Sequence, residues 1–151
     1  MRFMLIDGNS LAYRAFHALP TDLVTASGQV TNAVYGFTSM FIYLVKEFQP
    51  DAMAVAFDRP EPTFRHDRDE NYKANRTAAP DILKQQLGLV RQVVDTLGVP
   101  AIEQVGVEAD DIIATLATMA RDRGDDVLIV TGDRDSYQLV EDPHVRVIYN
   151  K

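Results

Sequence analysis

Apolar residues fall along this chain in two rhythms that alternate. Short continuous runs, FMLI at 3–6, AMAVAF at 52–57 and VLIV at 127–130, break up longer stretches in which apolar residues recur every three or four positions. A short unbroken apolar run is what a parallel strand covered on both faces requires, because neither side of it meets water. PAIEQ at 100–104 and VRVIY at 145–149 are weaker strand candidates. The helical rhythm is clearest over 32–48, where Ala33, Val34, Phe37, Met40, Phe41, Leu44, Val45 and Phe48 make one wide stripe. Over 81–97 the stripe is Leu83, Leu87, Val90, Val94 and Leu97, opened by Pro80 and closed by Gly98. Over 108–123 it is Ile112, Ile113, Leu116, Met119 and Ala120, closed by Gly124. A further helix is expected around Leu11, Tyr13, Ala15 and Phe16. Strand and helix in alternation predict an α/β domain: a mostly parallel central sheet of about five strands, flanked by helices on both faces.

One segment breaks the rhythm. RPEPTFRHDRDENYKANRTAAP, residues 59–80, holds five Lys/Arg, four Asp/Glu and a histidine with almost no apolar periodicity. A connection of that length inside a small domain is usually functional or disordered. The rest of the composition is that of one globular domain: 151 residues, 46% hydrophobic, with no repeat. No apolar run approaches the ~20 residues that cross a bilayer, and the opening MRFMLIDGNS meets an aspartate too soon for a signal peptide. The absence of cysteine excludes disulfides and thiolate metal sites and fits a reducing cytoplasm. A net charge of -7 is not the overall signature of a nucleic-acid binder. Any polyanion must be met by a local basic patch or by bound cations.

The acids change the picture. Asp7 ends the first strand, Asp58 ends the second, Asp133 and Asp135 follow LIVTG, and Glu108, Asp110 and Asp111 open a helix in GVEADDIIATLA. In a parallel sheet all C-terminal strand ends share one edge, where open α/β sheets bind their ligands. Up to seven carboxylates from four segments are therefore expected to converge. Each has an ordinary reading too. Acids favour the first turn of a helix, and Asp133 or Asp135 would serve as a cap for a helix beginning near Ser136. Glu108 and Asp111 share a helix face, while Asp110 is expected to turn away from it unless it lies at the frayed start of the helix. Asn9 and Ser10 read as helix caps, and Gly8 and Gly132 as tight-turn residues. Ser10 has no evident His–Asp partners for a nucleophile's role. Individual caps do not explain an acid at every main strand end. Crowded carboxylates either take up protons or bind cations. Oxygen donors without cysteine, and without paired spacing among His17, His66 and His144, select Mg²⁺ or Mn²⁺ over zinc. Such a cluster beside a basic segment suits phosphate-ester chemistry.

LIDGNSLAYRAFHAL (5–19), FDRPEPTFRH (57–66), YKANR (72–76), GVEADDIIATLA (106–117) and VTGDRDSYQL (130–139) resemble the 5′-nuclease domain of bacterial DNA polymerase I, of the flap endonuclease superfamily with a PIN-like fold. The resemblance runs in order over nearly the whole chain. It implies a metal-dependent 5′-3′ exonuclease and structure-specific flap endonuclease. Its DNA substrates would carry a 5′ flap, a single-stranded 5′ end or an RNA primer, in replication and repair. It further implies two Mg²⁺ or Mn²⁺ ions in the complete site, held by Asp7, Asp58, Glu108, Asp110, Asp111, Asp133 and Asp135. Asp58, Glu108, Asp110 and Asp111 match the side of the catalytic metal, Asp133 and Asp135 the second site, and Asp7 acts through water. Residues 59–80 match an arch over a threaded strand, with Arg65 and Lys73 taking part in catalysis, and Tyr72 and Arg76 beside them on the nucleic acid. Arg65, Lys73 and Arg76 can equally be read as a solvated face of a mixed-charge loop. Tyr13 matches an aromatic that stacks on a base, although its helical spacing also suits a core position. On this resemblance 1–151 is the PIN-like N-terminal domain of a longer cytoplasmic, nucleoid-associated chain, without the helix–hairpin–helix region and the polymerase domain.

Other classes remain open from the residues. A haloacid-dehalogenase-type phosphatase places a second aspartate two residues after the first, and here that position is Asn9. A PIN-type ribonuclease shares the acids without needing the long basic insert. Nucleotide enzymes built on GxxxxGK[ST] or GxGxxG are excluded, since neither occurs. A catalytically incomplete fragment that binds metal or flap DNA without turnover would share every one of these residues.

Overall fold

The computed structural model describes residues 1–58, 81–104 and 106–131, and the backbone of 145–149. Within them the chain runs β1 (Arg2–Asp7), α1 (Gly8–Ala18), α2 (Asn32–Phe48), β2 (Ala52–Ala56), α3 (Asp81–Thr96), β3 (Ala101–Ile102), α4 (Ala109–Asp122), β4 (Asp126–Thr131) and β5 (Val145–Tyr149). The three unbroken apolar runs become β1, β2 and β4, and the weaker candidates become β3 and β5. β3 is only two residues long because just Val55 and Ala56 of β2 offer it partners. All neighbouring strands are parallel, in the order β3-β2-β1-β4-β5. The chain thus builds outward from β1 through β2 to β3, then crosses back to lay β4 on the other side of β1. This reversal makes the C-terminal ends of β1 and β4 the switch point of the sheet.

Successive strand residues face opposite sides, and the core divides accordingly. Met4, Ile6, Val55, Leu128 and Val130 pack against Leu11, Phe37, Phe41, Val90 and Val94 of α1, α2 and α3. Leu5, Ala54, Ala56, Val127 and Ile129 pack against Ile112, Ile113, Ala117 and Ala120 of α4. Burial on both faces explains why the strands read as continuous apolar runs. The helical stripes point inward as expected, with two exceptions: Leu97 and Met119 are exposed. Leu97 lies just beyond the last residue of α3, and Met119 stands one step, about 100°, round the helix from the buried Ala120.

Two close approaches lock the layer that carries α1. A Cβ on Gly36 of α2 would stand 2.6 Å from Cβ of Ala15, so glycine lets α2 lie directly on α1. A Cβ on Gly8 would stand 2.5 Å from the ring of Phe57. Gly8 is therefore a packing glycine at the first position of α1, in place of the tight-turn residue its sequence context suggests; its φ is not among the positive values. The same Phe57 ring lies 5.7 Å from the guanidinium of Arg91, which is paired with Glu103.

A buried polar device joins the three helices of this face. Thr31, at the N-cap of α2, makes no side-chain capping bond. Instead Oε1 of Gln86, from α3, accepts the amides of Ala33 at 2.7 Å and Val34 at 3.2 Å. Gln86 also donates to Asn32 (2.8 Å), whose own amide donates to the carbonyls of Phe16 and Leu19 at the end of α1.

Candidate metal centre

The alternation that sorts the core also places the site. Leu5, Ala56 and Ile129 face α4, so two residues further on Asp7, Asp58 and Thr131 are directed to the same face at the C-terminal edge. The N-terminus of α4 meets them there. Asp7 is buried, with 5% of its surface exposed. It caps α1 by accepting the amide of Ser10 at 3.0 Å, and its Oδ2 accepts the hydroxyl of Thr131 at 3.3 Å. Asp110 bonds to it by side chain. Asp58 reaches the same place from β2. Its amide donates to Oδ1 of Asn9 at 2.9 Å, and its carboxylate accepts the amide of Ala109 at 2.6 Å.

These bonds decide one reading from sequence and correct another. Asp110 is the second residue of α4, and at that helix start it bonds to Asp7 in place of turning away. Asp7, one residue before the helix, takes the capping role that Asn9 and Ser10 were expected to fill, and leaves Asn9 to tie α1 to Asp58. Glu108 occupies the N-cap of α4 without capping it by side chain, and the carboxylate of Asp58 supplies the bond to that helix end. Glu108 is buried beside this junction. Asp111 is half-buried in the first turn, its amide bonded to the carbonyl of Glu108.

The electrostatics follow from this crowding. The Asp7 carboxyl is pushed up to about 6, first by burial, against which the Ser10 amide works; the charge of Asp58 raises it further, and the bonds from Asp110 and Thr131 oppose the rise. A buried carboxylate beside other carboxylates holds more negative charge than its donors balance, and a cation would balance it. The donors are all oxygens, which fits a hard divalent ion of the Mg²⁺ or Mn²⁺ kind. Among the described residues no three Asp, Glu or His side chains close on one point tightly enough to hold an ion unaided. Asp133 and Asp135, the other acids expected here, lie outside the described residues, as do Arg65, Tyr72, Lys73, Arg76, Gly132 and the helix expected near Ser136. Tyr13 does not enter the core: it is 54% exposed on α1, with its ring edge-on to His17 at 4.4 Å.

Sequence reasoning did not single out Thr131. It is fully buried at the end of β4, across the switch point from Asp7. Its signal was available: a hydroxyl two positions beyond Ile129, in the place where β1 and β2 carry aspartates.

A parallel α/β domain with carboxylates gathered at its switch point is thus the class that fold and site define. The family model for the 5′-3′ exonuclease, N-terminal resolvase-like domain, matches residues 2–151. The chain is 51% identical over 147 residues to DNA polymerase I of Mycobacterium tuberculosis, covering 97% of this chain and 16% of that protein. It belongs to the 5′-3′ exonuclease N-terminal domain family, and it spans about a sixth of the length of the curated relatives it matches. In fold it is similar to a T5 protein co-crystallised with metal ions, with a TM-score of 0.74 and 21% identity over 99% of this chain and 54% of that one. It is similar also to the bacteriophage T5 flap endonuclease in a pseudo-enzyme–product complex with DNA and metal ions, with a TM-score of 0.67 and 22% identity over 99% of this chain and 55% of that one.

Proposed function

We propose that the chain is a divalent-metal-dependent nuclease module. It hydrolyses phosphodiesters near the 5′ end of DNA, on flaps, single-stranded 5′ ends and RNA primers, as part of a longer polymerase I-like chain acting on DNA in the cytoplasm. The observation that carries this reading is the buried Asp7 at the switch point, tied to Thr131 and Asp110 and facing the charge of Asp58. Family membership and the DNA and metal ions in the T5 complex support it. Among the described residues no helix is long and apolar enough to cross a membrane.

Asp7, Asp58 and Asp110, with Glu108 and Asp111 beside them, would hold Mg²⁺ or Mn²⁺, and Asp133 and Asp135 are proposed to complete the set. The bound ion supplies activation of a water and neutralisation of the phosphate. The chain's own residues fix geometry: the Ser10 amide and Thr131 hydroxyl hold the two oxygens of Asp7, while Asn9 and the Ala109 amide hold Asp58 from both sides. Oxygen of water bonds to phosphorus as the bond to the 3′ oxygen breaks, which leaves a 5′-phosphate and needs no covalent enzyme intermediate. Arg65, Lys73 and Arg76 are proposed to steer the phosphates with Tyr72 beside them on the nucleic acid, and exposed Tyr13 to stack on a base, a contact worth ~1–3 kcal/mol whatever the sequence.

The test is a 5′-labelled flap DNA incubated with the chain in Mn²⁺ and in EDTA, beside Asp58→Asn. Asparagine keeps an acceptor for the Ala109 amide, so the helix end stays capped while the charge goes. Cleavage in Mn²⁺ that disappears in EDTA and in the variant is expected. Equal cleavage by Asp58→Asn overturns the site. A second reading, binding without turnover, draws on the absence of any closed set of three ligands among the described residues; Mn²⁺ uptake with uncut DNA is its outcome. An RNA strand cut in preference to flap DNA identifies a ribonuclease instead.

A further inference from the structure

We infer that Thr131 is a positioning residue of this centre, the neutral counterpart at the end of β4 of the aspartates that β1 and β2 lead to. The inference deepens the nuclease reading and rests on it. Three observations meet at this residue. Its side chain stands in the same face register as Asp7 and Asp58, two positions beyond Ile129, which packs under α4. It ends β4, whose register with β1 (Ile6 opposite Val130) brings it beside Asp7 across the switch point. It is fully buried, and its hydroxyl donates to Oδ2 of Asp7 while the Ser10 amide occupies Oδ1.

The chemistry of that place narrows what suits it. A further carboxylate there would add to the charge that burial and Asp58 already set against Asp7. An apolar residue would leave Oδ2 of Asp7 without the Thr131 donor at a place where both residues are buried. A hydroxyl has no charge and one proton to give, and the β-branched threonine suits an extended strand. With one oxygen fixed from α1 and the other from β4, the plane of the Asp7 carboxylate is set before any ligand arrives. Partners that orient a ligating group in this way typically contribute 10- to 100-fold to metal affinity or activity, as a rough scale.

Thr131→Val keeps the shape and removes the hydroxyl, whereas Thr131→Ser restores the hydroxyl without the methyl. With flap DNA in Mn²⁺, Thr131→Val is expected to lose about 10- to 100-fold in kcat at a nearly unchanged KM, and Thr131→Ser to recover most of it. Calorimetric titration with Mn²⁺ alone, without substrate, should show the same order of affinities: wild type, then serine, then valine. Thermal melts of the three proteins report folding separately. A valine variant with wild-type turnover and wild-type Mn²⁺ affinity overturns the positioning role and leaves the nuclease reading standing. So does a serine variant as impaired as valine while melting like wild type. Wild-type chain that neither binds Mn²⁺ nor cuts overturns the nuclease reading, and the inference falls with it. If wild type binds Mn²⁺ without cutting, the affinity order alone decides.

Discussion

At Asp7, burial and the charge of Asp58 act in the same direction, and the consequence can be followed with pH. The carboxyl sits at about 6 in the folded chain against an ordinary value of 3.8. The folded state therefore holds a proton that the unfolded state has released between those two values. Stability present below pH ~4 is lost as the pH rises through about 6, up to about 3 kcal/mol for a shift of this size. Asp7→Asn removes the titration and keeps an acceptor for the Ser10 amide, while its NH2 group faces the Thr131 hydroxyl, which can accept in turn. In EDTA the variant should melt above wild type at pH 7.5, and the gap should close near pH 4. A gap that does not change between those pH values means that Asp7 is not the group responsible. Added Mn²⁺ should stabilise wild type more than the variant, because the cation offsets the same excess charge.

Between elements, the contacts that matter were legible in part. The strands and helices could be read from apolar rhythm, since two covered faces leave continuous runs and one covered face leaves a stripe. That Asp7 and Asp58 meet the start of α4 could be read because strand direction gathers strand ends at one edge, while Asp133 and Asp135 lie outside the described residues. What a stripe hides is a polar residue on its buried side. Gln86 interrupts the apolar face of α3 and looks solvent-bound in sequence, yet it is fully buried and caps α2 from another helix. Thr131, and the bond that Asn9 makes, escaped for a related reason: the partners, Asp7 and Asp58, are 124 and 49 residues away. Gly8 reads as a turn until Phe57 is seen against it. Gln86→Ala should destabilise the chain by roughly 2–4 kcal/mol, because buried amides of α2 lose their acceptor and a void replaces the side chain. A denaturant midpoint within error of wild type would show that water replaces the glutamine. Gly8→Ala forces the Phe57 ring away, at about 1–3 kcal/mol. Since Asp58 follows Phe57 directly, cleavage should fall further than the loss of folded protein accounts for. Proportionate losses would confine Gly8 to packing.

For the whole molecule the proposed function raises the question of how a chain of charge -7, with 22 acids against 15 Lys and Arg, would hold a polyanion. Its acids are not spread evenly: Asp7, Asp58, Glu108 and Asp110 crowd the edge where the sheet reverses, the place a scissile phosphate would have to approach. Without a cation that edge would repel a DNA substrate, and the repulsion would lengthen in range as salt is lowered. With divalent ions bound, the same carboxylates become the means of attachment, so metal and DNA should bind cooperatively, and each should raise the affinity for the other by the same factor. Ca²⁺ prefers the same oxygen ligands but differs in size and rigidity from Mg²⁺, which makes it a probe of binding in the absence of cutting. Anisotropy of a labelled flap DNA should report an affinity about tenfold or more tighter in Ca²⁺ than in EDTA, a coupling within the usual 5- to 150-fold range. The factor should shrink in Asp58→Asn and should grow as monovalent salt is reduced. Equal affinity in Ca²⁺ and EDTA would mean that basic residues alone carry the DNA, and that the carboxylates at the switch point act only after it is bound.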